Sequence, residues 1–339
     1  MIACLRPNPG ERIADPACGT GGFLLAANEW IVDHHVRTMD ADQKKFLRDD
    51  ALHGWEIVDG TARLCAMNLL LHGIGTPGGR SLVTVGDSLR GDPGVRVDVV
   101  AANPPFGRKS SITMVNEAGE AEREELIVVR DDFWASTSNK QLNFLQHIKT
   151  LLKIGGRAAV VLPDNVLFEA GAGETVRRRL LADCDLHTIL RLPTGIFYAQ
   201  GVNANVLFFD RKPAAADAWT KETWVYDLRT NMHFTLKTTP LRAEDLADFV
   251  TAYSAGDRSL RVESERFRRF NYDEVIARDK ANLDITWLRD ETLDDGSTLP
   301  PPAALAAEIV EELEAALAQF SELAASLPAD PGDGEPGSG

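Results

Sequence analysis

The sequence is poor in cysteine and has no long uninterrupted apolar run. Its four cysteines, Cys4, Cys18, Cys65 and Cys184, are scattered without a C-x-x-C pair, so neither a disulfide framework nor a metal site is expected. No stretch approaches the roughly 18–20 apolar residues of a membrane span. Residues 1–11 lack the apolar core of a signal peptide. These absences predict a cytoplasmic protein with reduced thiols and no membrane association.

An excess of positive charge is also missing. The chain has 339 residues, of which 36 are Lys or Arg and 51 are Asp or Glu, and its formal net charge is −15. A protein that grips a nucleic-acid backbone alone usually presents a basic surface, because much of the affinity comes from neutralised phosphates. The chain therefore either does not bind nucleic acid or relies on a partner for much of the contact.

Apolar runs with strand character alternate with helix-like segments along residues 12–209. The runs are 12–14, 52–56, 81–85, 97–102, 157–162, 188–192 and 205–209. Such alternation predicts the α/β class, with a Rossmann-like, doubly wound parallel sheet of about seven strands.

Composition changes suggest how the chain is divided. We predict a main domain over residues 1–212 and an α/β extension packed on it over 213–299. An amphipathic helix is expected over 300–328 and a disordered, Pro- and Gly-rich tail over 329–339. Residues 110–138 are polar and irregular, which predicts a mobile loop beside the functional site.

Four polar residues follow four of the predicted strands: Asp15, Glu56, Asp87 and Asn103. Ligands of doubly wound sheets bind at the carboxyl ends of the strands. We therefore expect these residues to line one site.

A glycine-rich turn, residues 15–22, connects the first predicted strand to a helix. It has neither the lysine of a phosphate-binding P-loop nor the G-x-G-x-x-G spacing of a dinucleotide site. Its leading acid, Asp15, suits an ammonium or hydroxyl donor better than a pyrophosphate. A purely structural tight turn is the alternative.

The other two acids extend this interpretation. Glu56 is placed to accept the two hydroxyls of a ribose, and Asp87 to accept a hydrogen bond from an adenine amine. A solvated acid and a turn cap are the respective alternatives. Together the three acids describe a pocket for a cationic nucleoside, and S-adenosylmethionine fits it better than NAD or ATP.

Asn103-Pro104-Pro105-Phe106 forms a stiff corner, because neither proline can donate to a strand ladder. The corner offers an amide oxygen and a backbone carbonyl to an exocyclic amine, and an aromatic ring to a planar base. An ordinary loop at the end of a strand is the alternative.

The turn D-P-A-C-G-T-G-G-F at residues 15–23 and the corner N-P-P-F at 103–106 together resemble the amino-methylating DNA methyltransferases. More narrowly, the chain resembles the modification subunit of type I restriction–modification systems. Stretches at 55–56, 67–69, 156–163, 192–197 and 207–209 share this resemblance, which runs from near Glu11 to about Trp287.

The resemblance implies a site-specific, adenine-N6 DNA methyltransferase that uses S-adenosylmethionine. Asn103, the Pro104 carbonyl, Pro105 and Phe106 would form the catalytic corner around a flipped adenine. The cofactor would be held by eight residues: Asp15, Ala17, Gly19, Thr20, Gly21, Gly22, Glu56 and Asp87.

The resemblance also implies double-stranded DNA, a specificity subunit and a restriction subunit as partners, with two modification subunits per specificity subunit. The segment 303–327 is a candidate for docking on the specificity subunit, and a helix packed on its own domain is the alternative. In the family, a helical domain and a further cofactor-binding segment precede the glycine-rich turn. Only residues 1–14 precede it here, so we expect an amino-terminally truncated chain. An amino methyltransferase of rRNA or protein glutamine, and an inactive remnant, are the alternatives.

Overall fold

The computed structural model describes residues 1–106, 127–197, 202–232, 234–236, 238–289 and Val310, together with the backbone of residues 111–115 and 121–125. The chain divides into two compact units, Met1–Leu288 and Arg289–Gly339. The predicted helix over 300–328, apart from Val310, and the predicted tail over 329–339 lie outside the described residues.

The strands of the described residues are β1 (Ile13–Asp15), β2 (Leu52–Glu56), β3 (Val83–Val85), β4 (Val97–Ala102), β5 (Ser111–Val115), β6 (Ala121–Glu125), β7 (Leu152–Pro163), β8 (Cys184–Arg191), β9 (Ala204–Arg211), β10 (Glu222–Asp227) and β11 (Phe267–Asn271). The helices are α1 (Ile2–Leu5), α2 (Gly22–His35), α3 (Ala41–Asp49), α4 (Asp59–Leu71), α5 (Lys140–Leu151), α6 (Asn165–Phe168), α7 (Ala172–Asp183), α8 (Ala247–Tyr253) and α9 (Tyr272–Ala277). None of the described helices has the length and apolar character needed to cross a bilayer.

Nine of these strands form one sheet in the order β11-β10-β8-β9-β7-β4-β1-β2-β3. The predicted α/β class and the doubly wound arrangement are confirmed, and each of the seven predicted strands is present. Parallel pairing joins β3, β2, β1, β4 and β7.

The sheet departs from the prediction in two respects. First, β9 runs antiparallel to both β7 and β8. The 12 residues between β8 and β9, positions 192–203, include no described helix, and a connection without a helical crossover returns the chain antiparallel. Second, β10 pairs with β8 and β11 pairs with β10, so the sheet has nine strands instead of about seven. Residues 222–227 and 267–271 thus continue the sheet, and a domain boundary after residue 212 stays a proposal.

Both faces of the sheet are covered by helices. Along β4, Val99 and Ala101 pack into the core that contains α2 and α4, whereas Val100 and Ala102 pack into the core that contains α5 and α7. A strand buried on both faces reads as a continuous apolar run instead of an alternating one. Each fully buried Val or Leu contributes about 1.5–3 kcal/mol of transfer free energy. The centre of the sheet is therefore a rigid base for the loops at its carboxyl edge.

The predicted irregular loop over 110–138 contains regular structure. β5 and β6 pair antiparallel, with Ser111 opposite Glu125 and Val115 opposite Ala121. Residues 107–110, 116–120 and 126 of this loop lie outside the described residues.

Candidate active site

The four polar residues predicted to share a site lie at one edge of the sheet. Asp15 and Glu56 are the last residues of β1 and β2, Asn103 directly follows β4, and Asp87 lies two residues after β3. The strands are neighbours in the order β3-β2-β1-β4 and run parallel. Since neighbouring strands lie about 4.8 Å apart, this part of the edge spans about 14 Å. That length suits a nucleoside-sized molecule lying across the strand ends.

The glycine-rich turn packs closely against β2 and α4. The Cys18 N–H donates to the Trp55 carbonyl at 2.9 Å, and the Gly21 N–H donates to the Cys18 carbonyl at 2.8 Å. Gly21 has a φ of +89°, and a Cβ atom there would lie 2.8 Å from Cys65 Sγ. Only glycine satisfies both the backbone conformation and the space. The Thr20 carbonyl accepts a hydrogen bond from Asn68 Nδ2 at 3.0 Å, while Thr20 and Gly22 face solvent.

Glu56 joins the turn to the second strand. Its Oε2 accepts the Gly19 N–H at 3.2 Å, and its Oε1 accepts the Val58 N–H at 2.9 Å. The Glu56 backbone carbonyl accepts the Gly86 N–H at 2.9 Å, just before Asp87. Each carboxylate oxygen has a second lone pair, so Glu56 can still accept a pair of hydroxyl donors.

Asp15 is a buried acid with one hydrogen bond, from the Ala17 N–H at 3.0 Å. Burial raises the pKa of its carboxyl to about 7, the bond from Ala17 lowers it, and the nearby charge of Glu56 raises it further. A carboxylate in this environment is stabilised by any cation that reaches it.

Asp87 is exposed and already has a local role. Its Oδ1 accepts the Leu89 N–H at 2.9 Å and caps the turn at Ser88–Arg90. The capping role that the sequence left open is therefore present in the structure, and it uses the Oδ1 atom.

The corner after β4 combines exposed and buried residues. Asn103 and Pro105 are exposed, Pro104 is buried and Phe106 is half-buried. The Phe106 ring meets the Phe197 ring edge to face, with the centroids 5.1 Å apart. The Pro105 carbonyl accepts a hydrogen bond from Gln141 Nε2, on the first turn of α5, at 3.2 Å. Sequence reasoning missed both Phe197 and Gln141 as neighbours of the corner. Residues 192–197 were noted only as part of the resemblance, and nothing local marks Gln141.

A largely buried ion pair lies at the same edge, beyond β7. Arg229 donates to both carboxylate oxygens of Asp164, at 2.7 and 2.9 Å, and Asn205 Nδ2 donates to Asp164 Oδ1 at 2.7 Å. Burial is the largest influence on the pKa of Asp164 and raises it, but the hydrogen bonds and charge of Arg229, together with the bond from Asn205 and the charge of Arg191, hold that pKa below its ordinary value. Arg229 also donates to the carbonyls of Leu192 and Ala204. It therefore fixes both ends of the loop that carries Phe197.

A family profile and the sequences of known proteins place the chain in the same family. The sequence profile of the N-6 DNA Methylase family matches residues 1–291. The methylase subunit of the type I restriction enzyme StySPI, from Salmonella potsdam, is 39% identical over 364 residues, covering 96% of this chain and 66% of that subunit. The chain thus spans slightly less than two thirds of the length of this relative.

Solved structures agree with the sequence matches. The crystal structure of the type I restriction enzyme EcoKI M protein superposes with a TM-score of 0.74 and 38% identity, covering 97% of this chain and 71% of that one. A chain from work on complex assembly and conformational transition of the type I R-M system superposes with a TM-score of 0.67 and 30% identity, covering 95% and 63%. These matches confirm the resemblance drawn from residues 15–23 and 103–106, and the chain belongs to the N-6 DNA methylase family.

Proposed function

We propose that this chain is a site-specific DNA methyltransferase subunit that transfers a methyl group from S-adenosylmethionine to N6 of a flipped adenine. The observation that carries the proposal is the shared edge of β3, β2, β1 and β4. Three acids and a glycine-rich turn lie at the ends of β3, β2 and β1, and the N-P-P-F corner follows the neighbouring strand β4. A cationic nucleoside and a planar base with an amine are the pair of ligands that such an edge suits.

The residues of the edge fit S-adenosylmethionine. The buried Asp15 carboxyl, whose pKa is raised by burial, gains from the ammonium group of the cofactor. Glu56 accepts the ribose hydroxyls with its remaining lone pairs, and Asp87 accepts the amine of the cofactor's adenine. Gly19 and Gly22, where nothing lies within 4 Å of a Cβ position, admit the cofactor close to the backbone beside Ala17 and Thr20, and Gly21 contributes by holding the turn against α4. When bound, the cofactor supplies a methyl group on a sulfonium, which is already a good leaving group.

The corner after β4 fits the target base. Asn103 Oδ1 and the Pro104 carbonyl accept the two hydrogens of the adenine amine, and Phe106 stacks on the base. The lone pair of this amine is delocalised into the ring, so two acceptors on its hydrogens favour a pyramidal nitrogen that directs the lone pair at the methyl group. Alignment and electrostatic stabilisation then supply much of the rate enhancement. The base must leave the duplex to reach the corner, because enzymes cannot reach the amine inside the stack.

The partners of the type I systems belong to the same proposal. A net charge of −15 disfavours DNA binding by the chain alone. We therefore assign sequence recognition and much of the DNA contact to a specificity subunit, with two copies of this chain per specificity subunit and a restriction subunit completing the assembly. A cytoplasmic location, where both DNA and S-adenosylmethionine are present, is part of this proposal.

The test is methyl transfer by the chain co-expressed with its cognate specificity subunit. Tritiated S-adenosylmethionine is supplied with unmethylated DNA, with rRNA and with a release factor, and the product base is identified by mass spectrometry. We expect label in DNA as N6-methyladenine, dependent on the specificity subunit. Label in rRNA or protein but not in DNA would overturn the proposal. Absence of S-adenosylmethionine binding by calorimetry would favour an inactive remnant.

A further inference from the structure

The backbone of the N-P-P-F corner has few N–H groups with which to form hydrogen bonds to the rest of the protein. Pro104 and Pro105 have no N–H group, so neither can anchor the corner by donating a hydrogen bond. Within the described part of the chain, the hydrogen bond recorded to this backbone is the one from Gln141 Nε2 to the Pro105 carbonyl, at 3.2 Å. The corner is thus fixed from outside, by a side chain 36 residues further along the chain.

This contact constrains the groups that would meet the base. Pro104 is buried and its ring fixes its own φ, while the Pro105 ring fixes the next φ. With the Pro105 carbonyl held by Gln141, the peptide plane between the prolines is restrained from its Pro105 side, and Pro105 itself restricts ψ of Pro104 on the other side. That plane carries the Pro104 carbonyl, and the plane that follows carries Phe106. The direction of the Pro104 carbonyl and the position of the Phe106 ring therefore depend on Gln141.

Gln141 is itself held firmly. It is buried on the first turn of α5, and its N–H donates to the side chain of Asn139, the residue that caps this helix. Asn139 Nδ2 in turn donates to Glu169 Oε2 at 2.6 Å. A chain of hydrogen bonds thus runs from Glu169, after α6, through the start of α5 to the corner. The Gln141 backbone is thus fixed at the start of the helix, from which its buried side chain reaches the corner.

We propose that Gln141 is a positioning residue that orients the Pro104 carbonyl and Phe106 toward the target adenine. The inference rests on the proposed function for the identity of the base. The contact described for the Gln141 side chain is to the corner after β4, so we expect Gln141 to act on the base half of the site.

The first test is Gln141→Met, which preserves the side-chain length and removes the donor. The matched control is Gln146→Met, at another buried glutamine of α5, whose amide bonds go to the backbone of Ala135. We expect kcat for DNA methylation to fall roughly 10- to 100-fold in Gln141→Met, as misplacement by about 1 Å does. The KM for S-adenosylmethionine should stay within about twofold, and Gln146→Met should lower stability without this change in kcat.

A pH profile separates positioning from packing. Gln141→Glu cannot donate while ionised, but its protonated form has one O–H donor. Burial raises the pKa of such a carboxyl, so the activity of Gln141→Glu relative to the parent protein should rise as pH falls from 8 to 6. A packing defect would give a constant ratio across this range and would overturn the proposal.

A readout independent of catalysis separates this inference from the proposed function. In protein labelled with fluorophenylalanine, the Phe106 resonance is assigned by its absence in Phe106→Leu. We expect this resonance to shift or broaden in Gln141→Met and to stay unchanged in Gln146→Met. An unchanged resonance in Gln141→Met would overturn the positioning role even if the parent protein methylates DNA. A parent protein that transfers no methyl to DNA would contradict the proposed function, and the resonance would still decide whether Gln141 holds the corner.

Discussion

Arg229 holds Asp164 by both of its carboxylate oxygens, across 65 residues of sequence. Both side chains are largely buried, with 12% and 18% of their surface exposed, and Arg229 also binds the carbonyls of Leu192 and Ala204. The pair therefore joins the end of β7 to the loop between β8 and β9. That loop carries Phe197, which contacts Phe106.

We predict that Arg229→Met destabilises the protein by about 3 kcal/mol, because it leaves a buried carboxylate without its charged partner. Arg63→Met is the matched control, since Arg63 pairs with Asp59 at a solvent-exposed i,i+4 position, where such pairs contribute only about 0.3–0.5 kcal/mol. Urea denaturation monitored by tryptophan fluorescence measures both. If both variants lowered the free energy of unfolding by the same small amount, the Arg229–Asp164 pair would contribute no more to stability than an exposed pair.

Gly21 is predicted to be intolerant of a side chain. Gly21→Ala places a Cβ 2.8 Å from Cys65 Sγ, in a backbone conformation with φ of +89°. We expect the free energy of unfolding to fall by about 1–3 kcal/mol and S-adenosylmethionine to bind more weakly. Cys65→Ala should relieve the contact but not the backbone strain, so the double variant should recover only part of the stability.

Gly60→Ala is the control, since nothing lies within 4 Å of its Cβ position in α4. This substitution should stabilise the protein by about 0.5–1 kcal/mol. Thermal unfolding decides between these outcomes.

The sequence sufficed for the parts of the fold that are governed by local pattern. Strands such as β4 are apolar because both of their faces are buried, and this run of apolar residues marks them without any homologue. The common edge of Asp15, Glu56, Asp87 and Asn103 then follows from parallel pairing alone.

Pairings between distant segments could not be predicted in this way. β11 lies in a charged region, where Phe267 is buried while Arg268 and Arg269 are exposed, so no clear alternation marks it as a strand. The contacts of Gln141 with Pro105 and of Phe197 with Phe106 join segments that only the folded sheet brings together. No short-range pattern in the sequence encodes them.

Asn103 is predicted to act on the methyl acceptor and not on the cofactor. Asn103→Ala should abolish measurable methyl transfer and leave the Kd for S-adenosylmethionine within a few-fold, because Asn103 directly follows β4, one strand away from the acid of β1. Asn8→Ala, at an exposed position before β1, is the control and should retain both properties. Calorimetry and tritium transfer measure the two quantities. Loss of both together would mean that Asn103 has a structural role instead.

Asp15 gives the site a predicted pH dependence. Its pKa in the folded protein is about 7, raised by burial above the ordinary value of 3.8. The folded state therefore binds more protons at this site than the unfolded state between about pH 4 and 7, and the free energy of unfolding should fall as pH rises through that range. Asp15→Asn, which is never charged, should lack this contribution and should be more stable than the parent protein at pH 8.

The affinity for the cofactor should rise with pH because of Asp15, whereas the free energy of unfolding should fall. An ammonium group favours the ionised form of Asp15, so binding should expel a proton near pH 6, and affinity for S-adenosylmethionine should rise from pH 6 to pH 8. Calorimetry in two buffers with different ionisation enthalpies counts the released protons. In Asp15→Asn, we expect weaker binding and no proton release from this site. A parent protein whose affinity and proton count stay constant between pH 6 and 8 would exclude Asp15 as the partner of the ammonium group.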